Sequence, residues 1–205
     1  MRKREQLLGI PLLYQAFQYL VGKFGISRLN LFSKYLPYTS GVRVLDLGCG
    51  PGTCSYLFRS QDYIGIDIDD SYISFARKKY PNHHFEVYDF CNSTRASIAN
   101  SSFDLVFAYG LFHHLDDKTA ETFFLNSFDV LKPGGRMVCF DGCLHESQSR
   151  ISRFTTLADR GQFIRYPSHL QALASDAGFI TNFTLEESPY LIPYSLVVLS
   201  LLKGD

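Results

Sequence analysis

Val44-Leu45-Asp46-Leu47-Gly48-Cys49-Gly50-Pro51-Gly52 is an apolar run of strand length that enters three glycines at alternate positions. Thr53 then opens a stretch of helical character over Thr53 to Ser60. Glycine permits a sharp left-handed turn and lacks the Cβ that would block close approach to a ligand. A strand, a glycine loop and a helix in that order lay a nucleotide-like ligand against bare backbone. Dinucleotide sites space their glycines G-x-G-x-x-G and place a pyrophosphate on a helix N-terminus. Here the third glycine falls one residue early, and Asp46 precedes the loop. That spacing speaks against a nicotinamide dinucleotide. It suits a ligand with no phosphate and a cationic, amino-acid-like end.

Outward from this stretch, short apolar strands alternate with helical patterns, the signature of an α/β fold with a mostly parallel sheet. Strands are predicted near Val42 to Leu47, Tyr63 to Asp67, His84 to Tyr88, Phe103 to Tyr109 and Gly135 to Asp141. Helices are predicted near Ser71 to Tyr80, Lys118 to Leu131 and Ser168 to Ala177. Pro81 ends the first of these, and Asp116-Asp117 supplies acid where the dipole of the second favours it. Pro133-Gly134-Gly135 reads as the turn that stops this helix and starts the fifth strand. Phe179 to Leu185 and Leu191 to Leu199 are the candidate final strands, and the segment before Val42 fits one or two amphipathic helices.

The run from Val44 to Gly52, Gly65-Ile66-Asp67, Asp89, Phe103 to His114 and Leu131 to Gly135 follow one another in a fixed order and spacing. Together they resemble the class I S-adenosylmethionine-dependent methyltransferases, closely over about residues 40 to 142. His113-His114 is similar to the ubiquinone/menaquinone C-methyltransferase type. The resemblance implies a Rossmann-like, seven-stranded, mostly parallel sheet with helices on both faces and an antiparallel C-terminal edge. It implies one domain with three parts: a helical lid at 1–40, a cofactor-binding core at 41–142, and acceptor-side helices and terminal strands at 143–205. Tyr14, Phe17, Tyr19 and Phe24 fit either that lid or an ordinary apolar stripe.

Ligands of doubly wound sheets lie beyond the carboxyl ends of the strands, where the motif residues fall. The implied cofactor is S-adenosylmethionine. Gly48, Gly50 and Gly52 would floor its amino-acid portion, with Cys49 contributing backbone. Asp46 would fix its ammonium end or cap the loop amides. Asp67 follows Gly48 by about 19 residues, the distance at which an acid meets a ribose. Ile68 would lie on the adenine, Asp89 would receive its amino group, and Phe90 would stack or pack in the core. Tyr109 and Gly110 end the fourth strand, where the methyl group points. His113, His114 and Asp141 are the candidate catalytic residues, with His145 a further candidate base. Ala108-Tyr109-Gly110-Leu111-Phe112 departs from the Asn/Asp-Pro-Pro-aromatic run of adenine-N6 DNA methyltransferases, and no Pro-Cys pair is present there. The expected acceptor is a small molecule or metabolite. The rival reading is a non-catalytic cofactor-binding module that supports a partner. Arg150, Arg153, Arg160 and Arg165 either hold an acidic acceptor or form a solvated face.

Composition narrows the function classes. A formal net charge of +0 over 205 residues supplies no field to draw the chain to nucleic acid. Gln15 and Gln18 interrupt the apolar run from Leu7 to Val21, and Leu191 to Leu202 is too short to span a bilayer, so stable membrane insertion is not expected. The five cysteines include no C-x-x-C pair, which argues against a disulfide framework or a structural metal. Cys139, Cys143 and His145 leave open a metal site or a plain core role. Reduced thiols suit the cytoplasm.

Overall fold

Strand β1 (Val44–Leu47) is buried at every position, as a parallel strand covered on both faces must be. The computed structural model describes residues 26–36, 41–92, 102–159, 161–187 and 193–204. Its seven-stranded sheet has the order β3-β2-β1-β4-β5-β7-β6. The strands are β2 (Tyr63–Asp67), β3 (His84–Val87), β4 (Phe103–Tyr109), β5 (Leu131–Gly142), β6 (Ile180–Glu187) and β7 (Ser195–Leu202). β1 to β5 pair in parallel, whereas β7 runs antiparallel to both β5 and the edge strand β6. The expected C-terminal hairpin is therefore present. Strand order reverses at β1, between β2 and β4, which makes the tips of these strands the natural ligand crevice.

The two sheet faces build two cores. Leu45, Leu47, Val106, Ala108 and Met137 meet Ala120 and Phe124 of α3 (Asp117–Val130) and Leu170 and Ala174 of α5 (Pro167–Asp176). On the other face Val44, Tyr63, Phe107 and Phe140 meet Leu31 and Phe32 of α1 (Ile26–Tyr35) and Ile73 and Ala76 of α2 (Asp70–Lys79). Phe32 sits edge-on to Phe107, Tyr109 and Phe140 at centroid distances of 5.7, 5.4 and 5.0 Å. Each such pair contributes about 0.5–1.5 kcal/mol beyond its area burial. The end of the 1–40 segment thus packs on the sheet face. Tyr14, Phe17, Tyr19 and Phe24 lie outside the described residues.

Helix starts follow local chemistry. Asp69 caps α2 by accepting from the amides of Ser71 and Tyr72, and Asp116 caps α3 by accepting from Thr119 at 2.8 Å. Pro167 occupies the first turn of α5, where its missing N–H is not needed.

Two expectations need correction. Thr53 to Ser60 is not a helix but contains the short 3-10 turn Ser55–Leu57, with a second at Ser60–Asp62. The Ser55 side chain competes for a backbone group there, its Oγ bonding back to the Gly52 carbonyl at 2.9 Å. Pro133-Gly134-Gly135 lies within β5 rather than before it. The ladder jumps from Phe103↔Leu131 to Leu105↔Arg136, so these residues bulge from a strand that began earlier, with Gly134 at φ 69°. The last strand begins at Ser195, just past Pro193, which cannot donate to a ladder, and the predicted start at Leu191 lies outside the described residues.

Candidate functional site

The glycine loop and the tip of β2 are joined directly. Asp67 Oδ2 accepts from the Gly50 amide at 2.8 Å, and Oδ1 accepts from the Asp69 amide at 2.9 Å. Burial pushes the Asp67 carboxyl above the usual carboxylate range, and the two amides pull it partly back. Gly48, Gly50 and Gly52 all have positive φ, at 64°, 53° and 75°. Their surroundings differ. A Cβ on Gly48 would come within 2.8 Å of Leu111 Cδ1, and one on Gly52 within 3.0 Å of Tyr80 Cδ2. A Cβ on Gly50 would meet nothing within 4 Å. Open backbone is therefore centred on Gly50, while the other two glycines accommodate neighbouring side chains.

Asp46 is fully buried beneath this loop and accepts from the Tyr63 hydroxyl at 2.7 Å. Gly65 makes room for that hydroxyl, since a Cβ there would lie 2.6 Å from it. The acceptor for the loop amide is Asp67, not Asp46. Burial pushes the Asp46 carboxyl up to about 7, against the pull of the Tyr63 hydrogen bond and with a smaller push from Asp67. The folded chain thus holds a proton that the unfolded chain releases near pH 4. This contribution to stability is whole below about pH 4 and is lost as pH rises through about 7. Asp46→Asn keeps an oxygen for Tyr63 but cannot titrate. Between about pH 5 and about pH 8, wild type should lose about 2–3 kcal/mol of urea-unfolding stability relative to this variant. Parallel pH curves would refute the buried-acid account.

The remaining cofactor-side candidates separate. Ile68 is 70% exposed beside Asp67, an apolar surface at the crevice. Asp89 caps its own turn, accepting from Asn92 Nδ2 at 2.7 Å and the Cys91 amide at 3.0 Å, and the Asn92 bond leads in holding its carboxyl below the usual range. Phe90 is buried against Phe123, a core role. Tyr109 is half-buried against Phe32. The Cys49 thiol is buried and raised by that burial, while its backbone amide donates to Ile66 O at 3.0 Å.

Across the switch point, β4 and β5 bring together two residues that lie far apart in the chain. Asp141, 1% exposed at the end of β5, accepts from His113 Nδ1. It also accepts from the amides of Phe112 at 2.5 Å, His113 at 3.2 Å and Gly142 at 2.8 Å. A carboxylate is acceptor-only, so Nδ1 carries a proton. Asp159 Oδ1 lies 3.9 Å from His113 Nε2, and Asp159 Oδ2 accepts from the Tyr194 hydroxyl at 2.7 Å. His114 is exposed and stacks on His113 with ring centroids 4.1 Å apart.

A family model described as a methyltransferase domain matches residues 44–135, the span from β1 through the bulge of β5. Over these residues the chain carries a methyltransferase domain similar to that of the class I S-adenosylmethionine-dependent methyltransferases. Phosphoethanolamine N-methyltransferase 1 of Triticum aestivum is 28% identical over 159 residues, covering 76% of this chain and 32% of that protein. The chain thus spans about a third of the length of that curated relative. A solved S-adenosylmethionine-dependent methyltransferase from Methanosarcina mazei superposes with a TM-score of 0.67 at 20% identity, over 85% of this chain and 98% of that one. Phosphoethanolamine N-methyltransferase 2 of Haemonchus contortus superposes with a TM-score of 0.67 at 17% identity, over 86% of this chain and 52% of that one. That protein was solved with phosphomonomethylethanolamine and S-adenosylhomocysteine. At these identities the two solved structures share the fold.

Two sequence readings of the acceptor side are corrected. Arg165 does not face an acceptor. It is buried, its guanidinium donating to the carbonyls of Phe112 at 2.8 Å and Leu115 at 2.5 Å and to Asp117 Oδ1 at 2.8 Å. It thereby clamps the turn that carries His113. His145 is committed as well: Nε2 donates to Glu187, and Nδ1 meets Ser147 Oγ at 3.1 Å. Cys139 and Cys143 are buried, and among the described residues no group of three or more His, Cys, Asp and Glu side chains could hold a metal. Nor, among them, is any helix long and apolar enough to cross a membrane.

Sequence reasoning gave no role to Tyr194 and placed Asp159 and Gly161 only in a run of polar residues on the acceptor side. A Cβ on Gly161 would lie 2.1 Å from His113 Cδ2, so the backbone there closes against the imidazole. Gly161→Ala is expected to destabilise the fold by about 1–3 kcal/mol. An unchanged urea midpoint would show that this loop moves freely off the ring.

Proposed function

We propose that the chain binds S-adenosylmethionine and transfers its methyl group to a small-molecule acceptor. The observation that carries this reading is the union of Asp67 and Gly50: a half-buried carboxylate and open backbone meet where strand order reverses. The residues present fit the group. Asp67 keeps lone pairs for ribose hydroxyls beyond the two it gives to amides, Gly50 leaves its amino-acid portion unobstructed, and the exposed Ile68 offers an apolar surface to the adenine. Asp89, Phe90 and Tyr109 contribute through the shape of the β3 and β4 tips. When bound, the sulfonium supplies an already activated methyl group. The protein then chiefly aligns the reacting atoms.

On the acceptor side, Asp141 holds the Nδ1 proton of His113 and leaves Nε2 to take a proton from the attacking O–H or N–H. Asp159, held by Tyr194, orients that donor from the other side. Relatives named phosphoethanolamine N-methyltransferases support a small-molecule acceptor. A cofactor-binding module without turnover is the second reading, favoured by the 6% exposure of His113. Isothermal titration with S-adenosylhomocysteine tests the binding claim, and absence of heat would refute it. Incubating the protein with labelled cofactor and a metabolite extract separates the two readings, because only the enzyme yields a labelled product.

A further inference from the structure

Helix α4 (Arg150–Leu157) is built inside out. Its buried side is polar: Ser152 and Thr156 are both fully buried. Ser152 Oγ pairs with Ser195 Oγ of β7 at 2.7 Å, and Gln148 Nε2 donates to Ser152 Oγ and Thr156 Oγ1 at 3.3 and 3.0 Å. Its outer side is apolar: Ile151, Phe154 and Leu157 are 64%, 73% and 55% exposed. At 3.6 residues per turn, Leu157, Arg150, Phe154 and Ile151 share one outward arc, with Arg153 at its edge. Arg150 and Arg153 are both exposed, and the sequence holds no acid between Glu146 and Asp159. Exposed Phe163 and Tyr166 follow on the next loop. A clustered apolar face rimmed by cations, on a helix whose polar groups are satisfied inward, is arranged for an amphiphilic anionic surface.

We propose that α4 is a peripheral docking site for an anionic phospholipid membrane. Ile151, Phe154 and Leu157 enter the boundary between headgroups and acyl chains, and Arg150 and Arg153 pair with lipid phosphates while their stems lie along the apolar stripe. Charge selects this occupant over a second copy of the chain. An isologous contact through α4 would set the arginines of one copy against those of the other. The helix leads directly into Asp159 and Gly161, so docking places the His113 side of the molecule next to the lipid. The docking itself does not depend on methyl transfer, and its test requires no cofactor.

The full chain is co-sedimented with phosphatidylcholine vesicles and with the same vesicles doped with phosphatidylglycerol. Binding is expected to the doped vesicles and to weaken with salt. It should fall by about tenfold or more in R150E/R153E and in I151S/F154S, with thermal midpoints unchanged because all four side chains are exposed. No binding to doped vesicles, or binding indifferent to these substitutions, overturns the proposal. So does a fall in thermal midpoint or in oligomer size for I151S/F154S, since the stripe is then covered by the chain itself or by a second copy.

Discussion

Asp67→Ala is expected to weaken binding of S-adenosylhomocysteine by more than tenfold. Two effects add. A charge-assisted hydrogen bond contributes about 1.5–3 kcal/mol, and each 1.4 kcal/mol is about tenfold in affinity. The substitution also strips the acceptor from the Gly50 amide, so the glycine loop loses its tie to β2. These effects are separable. Asp67→Asn keeps one oxygen for Gly50 but loses the charge and the acceptor for the Asp69 amide, so it should lower the thermal midpoint less than Asp67→Ala while still weakening binding. Titration calorimetry on both variants gives the answer. Equal affinity in wild type and Asp67→Ala would remove the ribose role. Loss only in step with unfolding would make Asp67 structural.

His113→Ala is expected to lower kcat by about 10²- to 10⁴-fold, the range of a general base, while cofactor affinity stays near wild type. Asp141→Asn should act through the same imidazole. The amide nitrogen would face His113 Nδ1, drive the proton to Nε2 and remove the lone pair that accepts from the acceptor. Asp141→Ala is a poorer probe, because it orphans the buried amides of Phe112, His113 and Gly142 and should destabilise the fold by several kcal/mol. Once an acceptor is found, a pH–rate profile discriminates. The low-pH limb should vanish in His113→Ala. A variant with full kcat would make His113 a structural residue.

Much of the frame was legible because its signals are local. The apolar run of β1, the glycines after it and Asp67 after β2 are read from neighbours within one βαβ unit, and the acid that starts α3 from Asp116-Asp117 itself. Boundaries failed where a local signal had two outcomes. Pro133-Gly134-Gly135 can end a helix or bulge a strand, and the ladder to Leu105 chose the second. Thr53 to Ser60 holds only a 3-10 turn, where Ser55 bonds its own backbone.

The acceptor side was less legible because its contacts span the chain. Asp141 reaches His113 over 28 residues, Tyr194 reaches Asp159 over 35, and Arg165 reaches Phe112 over 53. Nothing near Arg165 in sequence distinguishes a clamp on carbonyls from an acceptor's counter-ion. The same holds for α4, which the sequence reading did not predict and whose buried face is set by Ser195 and Gln148.

By itself, then, the sequence determined the alternation of strands and helices, the glycine turn and the acid at the tip of β2, since backbone conformation and hydrophobic period are short-range properties. Only the tertiary structure decided that Gly50 is the open glycine, that Asp67 rather than Asp46 ties the loop, and that Asp141 sets the tautomer of His113. Hydrogen-bond partnership and burial belong to whichever groups the sheet brings within 3 Å or so of one another, and strand order, not chain order, makes that choice.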